Sequence, residues 1–229
     1  LPRHLRRPAF RGIDPRAISN IEPELKDVAP GFIQQLIRGQ GEHMYSAAMQ
    51  TETKCPKGKL PRELDVVIND ISTTTPTHLV AVYSKPSALQ KQRISLHATH
   101  GLILAANCAN LPPLPYSKPD IPAYPGTMIS LPVVPLAIQS PDTFPILLEY
   151  LYTQRSEYLL RSILPLSSRG PIPPPDQLVG ELLATCSPIT LQNCLYRIHG
   201  LWSNVTALGV YDEKLWRTME AAWEVLQEA

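Results

Sequence analysis

His97 and His100, three residues apart, are the first side chains in this sequence whose types and spacing could do chemistry together. Two imidazoles across a strand-to-helix junction could share a zinc ion if a carboxylate or thiol joined them, and no third ligand is identifiable. The simpler reading makes one histidine a buried polar anchor to backbone and leaves the other exposed. Cys186, Cys194 and His199 invite the same thought, but Cys194 falls on an apolar helical stripe, where a small buried thiol is the ordinary outcome. A hydrolase would need a serine or cysteine nucleophile, a histidine base and an orienting acid, and the chain carries no G-x-S-x-G, no HExxH and no P-loop. Glu149 and Glu157 have nothing beside them to separate their pKa values. No catalytic residue, cofactor or metal ligand is assigned, and the chain reads as a non-enzyme.

Surface recognition is the other chemistry available. An exposed aromatic cluster buries much area at low entropic cost, and Tyr152 and Tyr158, flanking an apolar stripe with Arg155 between them, are the first candidates for contact with a partner. Five arginines, at 3, 6, 7, 11 and 16, crowd the start of the chain. Such an arm could touch phosphate or an acidic partner, and a solvated tail is its plainer reading. A formal charge of only +1 leaves the molecule without a strong electrostatic footprint for nucleic acid or membrane. No apolar run is long enough to cross a bilayer, and the first residues lack the apolar middle of a secretory signal. The four cysteines form no close pair, so reduced thiols are expected.

The elements that must hold these residues are best written between Leu131 and Leu164. Phe144, Leu147, Leu148 and Leu151 recur at i, i+3, i+4 and i+7 and form one apolar helical stripe. Ser140 or Asp142 could cap that helix. Asp142 is the better placed, because it makes Pro145 the third helical residue, where a missing N–H does no harm. Just before it, Val133, Val134, Leu136 and Ile138 predict a short strand, and Pro132 and Pro135 argue for an edge or irregular position. The stripe is expected to lie under a sheet from the first half of the chain.

Upstream, Pro30-Gly31 opens a short amphipathic helix carrying Phe32, Ile33, Leu36 and Ile37, and the stretch from Thr51 to Arg62 reads as an exposed loop. Residues 65–68 and 78–83 look like a hairpin, 94–97 like a third strand, and His100 to Asn107 turns helical. With 25 prolines in 229 residues, the segments 112–135 and 171–175 become semi-rigid spacers. Beyond them Asp176 can cap a helix with Leu178, Leu182 and Leu183. Ser187-Pro188 opens another helix, Gly209 closes it, and Asp212 starts a last stripe of Leu215, Trp216, Met219, Trp223 and Leu226.

The fold class that follows is α+β: a small antiparallel sheet covered by helices. Residues 1–60 form an N-terminal extension with short helices, 61–170 the central domain with its proline-rich insertion, and 171–229 a helical C-terminal extension packed on it.

Two stretches together resemble the BTB/POZ interaction domain. His100, Leu104, Ala105 and Cys108 match one signature, and Phe144, Leu147, Leu148, Tyr150, Leu151, Tyr152 and Thr153 match the second. The proline-rich insertion and the long N-terminal segment depart from an ordinary BTB domain. Over most of its length, through ISLHATHGLILAANCANLPPLP, SPDTFPILLEYLYTQRSEYLL and HGLWSNVTALGVYDEKLW, the chain is similar to the clampless-type developmental regulators of mushroom and smut fungi. That resemblance implies a non-enzymatic nuclear factor, with the cytoplasm as a second location, needed for clamp-cell formation and sexual development. Its partners would be a second copy or mating-pathway transcription factors. In that setting His100, Leu104, Cys108, Phe144, Leu147, Leu148 and Leu151 are structural core. Direct DNA binding by the arginine arm is the first alternative, and a metal-dependent hydrolase built on His97 and His100 is a remoter one.

Overall fold

The computed structural model describes residues 2–54, 56, 59–84, 93–166 and 170–229. Cys55, one of the thiols expected to be reduced, lies outside them. Five strands, β1 (Thr51–Thr53), β2 (Glu63–Ile68), β3 (His78–Tyr83), β4 (Ile94–Thr99) and β5 (Thr127–Ala137), form one sheet in the order β1-β2-β5-β3-β4. All pairs are antiparallel except β3 with β5. The expected hairpin between residues 65–68 and 78–83 is not made, because β5 inserts between them. Thr51–Thr53, expected in a loop, forms an edge strand on β2.

β5 is longer and more central than its prolines suggest, and the register explains how. Its first half pairs with β2 as far as Pro132, and its second half pairs with β3 from Val133 onward. The Val133 N–H donates to the Arg62 carbonyl, 2.8 Å away, so odd-numbered nitrogens of β5 face β2 and even-numbered ones face β3. Pro135 therefore aims its missing donor at β2 beyond the end of that pairing, and Pro132 aims at β3 before that pairing begins. Neither proline breaks a ladder bond.

The strict alternation of β5 also separates two cores. Val134 and Leu136, with Val80 and Val82 of β3, join the main core shared with the helices. Ile129, Leu131 and Val133 meet Leu79, Ala81, Val66, Ile68 and Ala98 in a second core built from strands alone. The sheet rolls to enclose it, bringing its outer strands β1 and β4 toward each other.

Nine helices occur among the described residues: α1 (Pro15–Ser19), α2 (Pro30–Arg38), α3 (Gly41–Met49), α4 (Gly101–Asn107), α5 (Phe144–Thr153), α6 (Ser156–Ile163), α7 (Pro175–Thr185), α8 (Pro188–Leu208) and α9 (Glu213–Glu228). The stripe of α5 is fully sequestered, with Phe144, Leu147, Leu148 and Leu151 each at most 2% exposed. Burying four such side chains is worth about 1.5–3 kcal/mol apiece. Contrary to expectation, α5 packs chiefly on α3, α8, α6 and α4. Its sheet contacts include Phe144 against the His97 ring, 5.3 Å between centroids, and Tyr152 against Thr99.

The start of α5 is not capped by Asp142. Pro141–Thr143 form a 3-10 turn, the helix begins at Phe144, and no neighbouring side chain caps it. Asn204 of α8 serves the turn instead: its Nδ2 donates to the Ser140 carbonyl (2.7 Å) and Thr143 Oγ1 (2.9 Å), and its Oδ1 accepts from the Ser140 N–H (3.2 Å). A cap supplied from 64 residues away leaves no local signal. Asp176 likewise sits inside the first turn of α7 rather than ahead of it, and Leu183 of that helix is exposed. The later punctuation is as read. Ser187 caps α8, Gly209 ends it at φ 64°, and Asp212 caps α9. One continuous core runs from Leu5 through Phe144 to Leu226, so the three segments of the chain share a single interior.

Candidate protein-binding groove

The first two N–H groups at the start of α4 are served through a pair of buried histidines. His78, at the start of β3, and His100, between β4 and α4, are 0% and 3% exposed. His100 Nε2 lies 2.8 Å from the Thr74 carbonyl, which can only accept, so Nε2 carries the proton. Nδ1 must then accept, and the Tyr152 hydroxyl 2.8 Å away donates to it. The same phenol oxygen accepts the His100 backbone N–H at 2.8 Å.

His78 repeats the arrangement. Its Nε2 donates to the Pro115 carbonyl (2.8 Å), its Nδ1 accepts from the Thr77 hydroxyl (2.8 Å), and Thr77 Oγ1 accepts the Gly101 N–H (2.8 Å). Two N–H groups that the helix cannot satisfy are thus taken by two hydroxyls, and each hydroxyl is oriented by an imidazole. Gly101 permits this, because a Cβ there would stand 2.6 Å from the His78 ring. Burial pushes the His100 imidazole down to about 4 and lowers that of His78, so both are neutral in ordinary solution.

These bonds reach outward as well as inward. Thr74 belongs to the loop after β2, and Pro115 to the proline-rich segment after α4. The two loops line a groove of about 840 Å³, together with residues 21–24, Gln40 and His43. Ile71, Tyr116 and Ile121 stand on its rim, 41%, 58% and 90% exposed. Glu22, Glu24 and Lys118 are its charged lining residues. The Glu22 carboxyl is raised above its usual range, first by burial and then by Glu24. The geometry offers an apolar, threonine-lined trough, and among its described lining residues His43 makes no hydrogen bond to Ser72, Ser117, Glu22 or Glu24.

The residues singled out for chemistry are placed differently. Tyr152 is not a surface residue: it is 1% exposed, and its phenol is the hub just described, its pKa raised by burial. Tyr158 is 39% exposed and stays at the surface, where Arg155 donates to its hydroxyl (2.7 Å) and lies 5.0 Å over its ring. Arg155 also pairs with Glu42 of α3, so the two candidates are bound to neighbours on the outside of the helical layer, away from the groove. His97 turns from His100, its Nε2 2.9 Å from Ser95 Oγ. Among the described residues no three His, Cys, Asp or Glu side chains cluster as ligands. Cys108 and Cys194 are buried thiols, raised by desolvation, that of Cys108 to about 12.

The arginine arm is not a free tail. Arg7 pairs with Glu213 and Glu220 of α9, and Trp202, Tyr211, Trp223 and Gln227 donate to backbone carbonyls of residues 2–9. The groove and this strap both escaped the sequence reading. Spacing shows neither, although Glu213 and Glu220, at i and i+7, do mark an acidic stripe on α9.

Residues 8–139 match the family model described as the clampless protein 1 N-terminal domain, and residues 157–229 match that of the clampless protein 1 C-terminal domain. Neither the curated proteins nor the solved structures searched contain a match. The first of the two models alone spans more than half of the chain, and α5 lies between them.

Proposed function

Because the chain belongs to the clampless protein family, we propose that it is a non-enzymatic protein-interaction factor that regulates clamp-cell formation in fungal sexual development. It acts in the nucleus by holding an extended segment of a mating-pathway transcription regulator in the groove between residues 71–77 and 115–121. The observation that carries this reading is that the two BTB/POZ-like stretches meet at one buried hydroxyl. Tyr152 from the second bonds His100 from the first, and His100 fixes the groove wall at Thr74. A BTB-like centre is further supported by the β3–β4 hairpin that leads directly into α4. Direct DNA contact is disfavoured, since the formal charge is only +1 and Arg7 of the arm is paired with Glu213 and Glu220.

The test replaces Tyr116 by Ala and Ile121 by Glu, both exposed and outside the core. The double variant should accumulate and unfold like the parent, within about 0.5 kcal/mol. It should fail to support clamp cells when it replaces the resident copy, and it should lose crosslinking to a transcription regulator that the parent binds in purified form. Normal clamp formation by the folded double variant would sink the assignment.

A further inference from the structure

Residues 2–10 cross α8 and α9 without regular structure of their own. Gln227 donates to the Pro2 carbonyl (3.2 Å), Trp223 Nε1 to Arg3 (3.4 Å), Trp202 Nε1 to Arg6 (2.9 Å) and Tyr211 to Ala9 (2.6 Å). All four contacts are side-chain donors to backbone carbonyls. Recognition of that kind is indifferent to side-chain identity and tolerates proline, which keeps its carbonyl while lacking an N–H. The strap itself contains Pro2 and Pro8.

Selectivity enters at two positions. Leu5 is 5% exposed and is the one side chain of the strap that is buried. Two residues on, the Arg7 guanidinium forks onto Glu220 through Nε and Nη2, both at 2.7 Å, and reaches Glu213 through Nη1 at 2.7 Å. Its carbon lies 5.8 Å from the centre of the Trp216 ring. A planar fork against two carboxylates and an aromatic face is arginine chemistry that lysine does not reproduce.

We infer that the α8–α9 face is a recognition cradle for extended, proline-tolerant segments of a partner protein that place an apolar residue two positions before an arginine, and that the chain's own residues 2–10 occupy it in cis. A partner segment can enter only when the strap leaves. Its ion pairs are exposed, with the Arg7 side chain at 38%, and exposed pairs contribute little. One buried leucine is a small anchor for nine residues, so the strap belongs to the low-stability end of the molecule. A tethered ligand nevertheless competes at an effective concentration on the order of millimolar. A partner segment must therefore bind more tightly than the strap or arrive already tethered, and that requirement makes the site selective in the resting protein. The groove beside His100 takes no part in this.

The test uses a labelled peptide of residues 2–11, Pro-Arg-His-Leu-Arg-Arg-Pro-Ala-Phe-Arg, titrated into the full chain, a variant lacking residues 2–10, and full-length Arg7→Ala. The deletion variant should bind the peptide at least about tenfold more tightly than the full chain, with Arg7→Ala between them. A peptide with Ala at the position of Arg7 should bind about tenfold more weakly, and added salt should weaken the parent peptide's binding. All three tryptophans of the chain touch the strap, so their emission reports its departure and its replacement. Should the deletion variant not fold, the full-length Arg7→Ala chain decides, since a cradle must then take up peptide that the parent excludes. Absence of binding to either variant, or binding blind to the peptide's arginine, overturns the proposal. So does a concentration-dependent dimer formed by exchange of arms, which would assign the occupant to a second copy.

Discussion

Tyr152→Phe removes one oxygen and leaves the ring that fills the core. That oxygen accepts the His100 N–H at 2.8 Å, donates to His100 Nδ1 at 2.8 Å and lies 3.2 Å from Thr99 Oγ1. Thr99, His100 and Tyr152 are all at most 3% exposed, so bulk water does not replace the lost partner. The threonine hydroxyl can turn elsewhere, but the backbone N–H and the imidazole nitrogen cannot. Each buried group left unsatisfied costs about 1–3 kcal/mol, which for the two sets an expected destabilisation of about 2–6 kcal/mol. Against a typical total of about 5–15 kcal/mol this is a large fraction.

Urea unfolding followed by tryptophan emission should show the midpoint falling by about 1 M with an unchanged slope. Tyr158→Phe, which removes a hydroxyl from the surface pair with Arg155, should shift stability by no more than about 0.5 kcal/mol. Equal effects of the two substitutions would refute the hub. The Tyr152 variant should also bind the proposed groove partner less well, because His100 then holds Thr74 without its own orientation fixed.

Acid should weaken the fold through the same histidines. The pKa of His100 is about 4 when folded and about 6.5 when unfolded, so between those pH values the unfolded chain holds a proton that the folded chain lacks. The stability it contributes is complete above about pH 6.5 and is lost as pH falls toward 4, on the order of 3 kcal/mol in all. His78 and His97 act in the same direction, and the raised carboxyls of Glu22 and Glu149 oppose them. Urea midpoints at neutral pH and at about pH 5 should differ less for His100→Gln than for the parent, and parallel slopes would count against the buried neutral imidazole. Gly41→Ala would set a Cβ on the Tyr152 carbonyl oxygen where α3 meets α5, costing about 3 kcal/mol, whereas Gly12→Ala, with open space around it, should stay within about 0.5 kcal/mol of the parent in thermal melts.

What the sequence made legible was local. The stripe of α5, the Ser187 and Asp212 caps and the left-handed Gly209 each rest on contacts within a turn or two, so spacing suffices to find them. What it hid was distant. Pro132 and Pro135 argued for an edge, and only the staggered pairing with β2 and then β3 shows how a central strand accommodates both. The start of α5 lacks its own cap because Asn204 of α8 supplies one. Tyr152 is the instructive error. With Phe144 and Leu148 it falls at i, i+4 and i+8, a spacing that already placed it on the buried stripe, while its polar tip invited a surface role. Where that tip goes depends on His100, 52 residues earlier, and no window of the sequence contains both.

The division between what is legible and what is not has a consequence for where recognition resides. His100, Leu104 and Cys108 in the first stretch and Phe144 to Tyr152 in the second are the patterned residues, and most of these side chains are buried. They cannot touch a partner. Their effect on one is indirect: His100 fixes the Thr74 carbonyl on one side of the groove, and His78, outside both stretches, fixes that of Pro115 on the other. The residues free to make contact, Ile71, Tyr116 and Ile121, lie in irregular segments where neither periodicity nor a motif marks them. A rigid scaffold that presents irregular loops ties the fold to the patterned residues and leaves partner choice to the unpatterned ones. Substitutions in the patterned set should therefore lower stability and binding together, and substitutions at Tyr116 and Ile121 should lower binding alone. Measuring both quantities on the same variants separates the scaffold from the surface it presents.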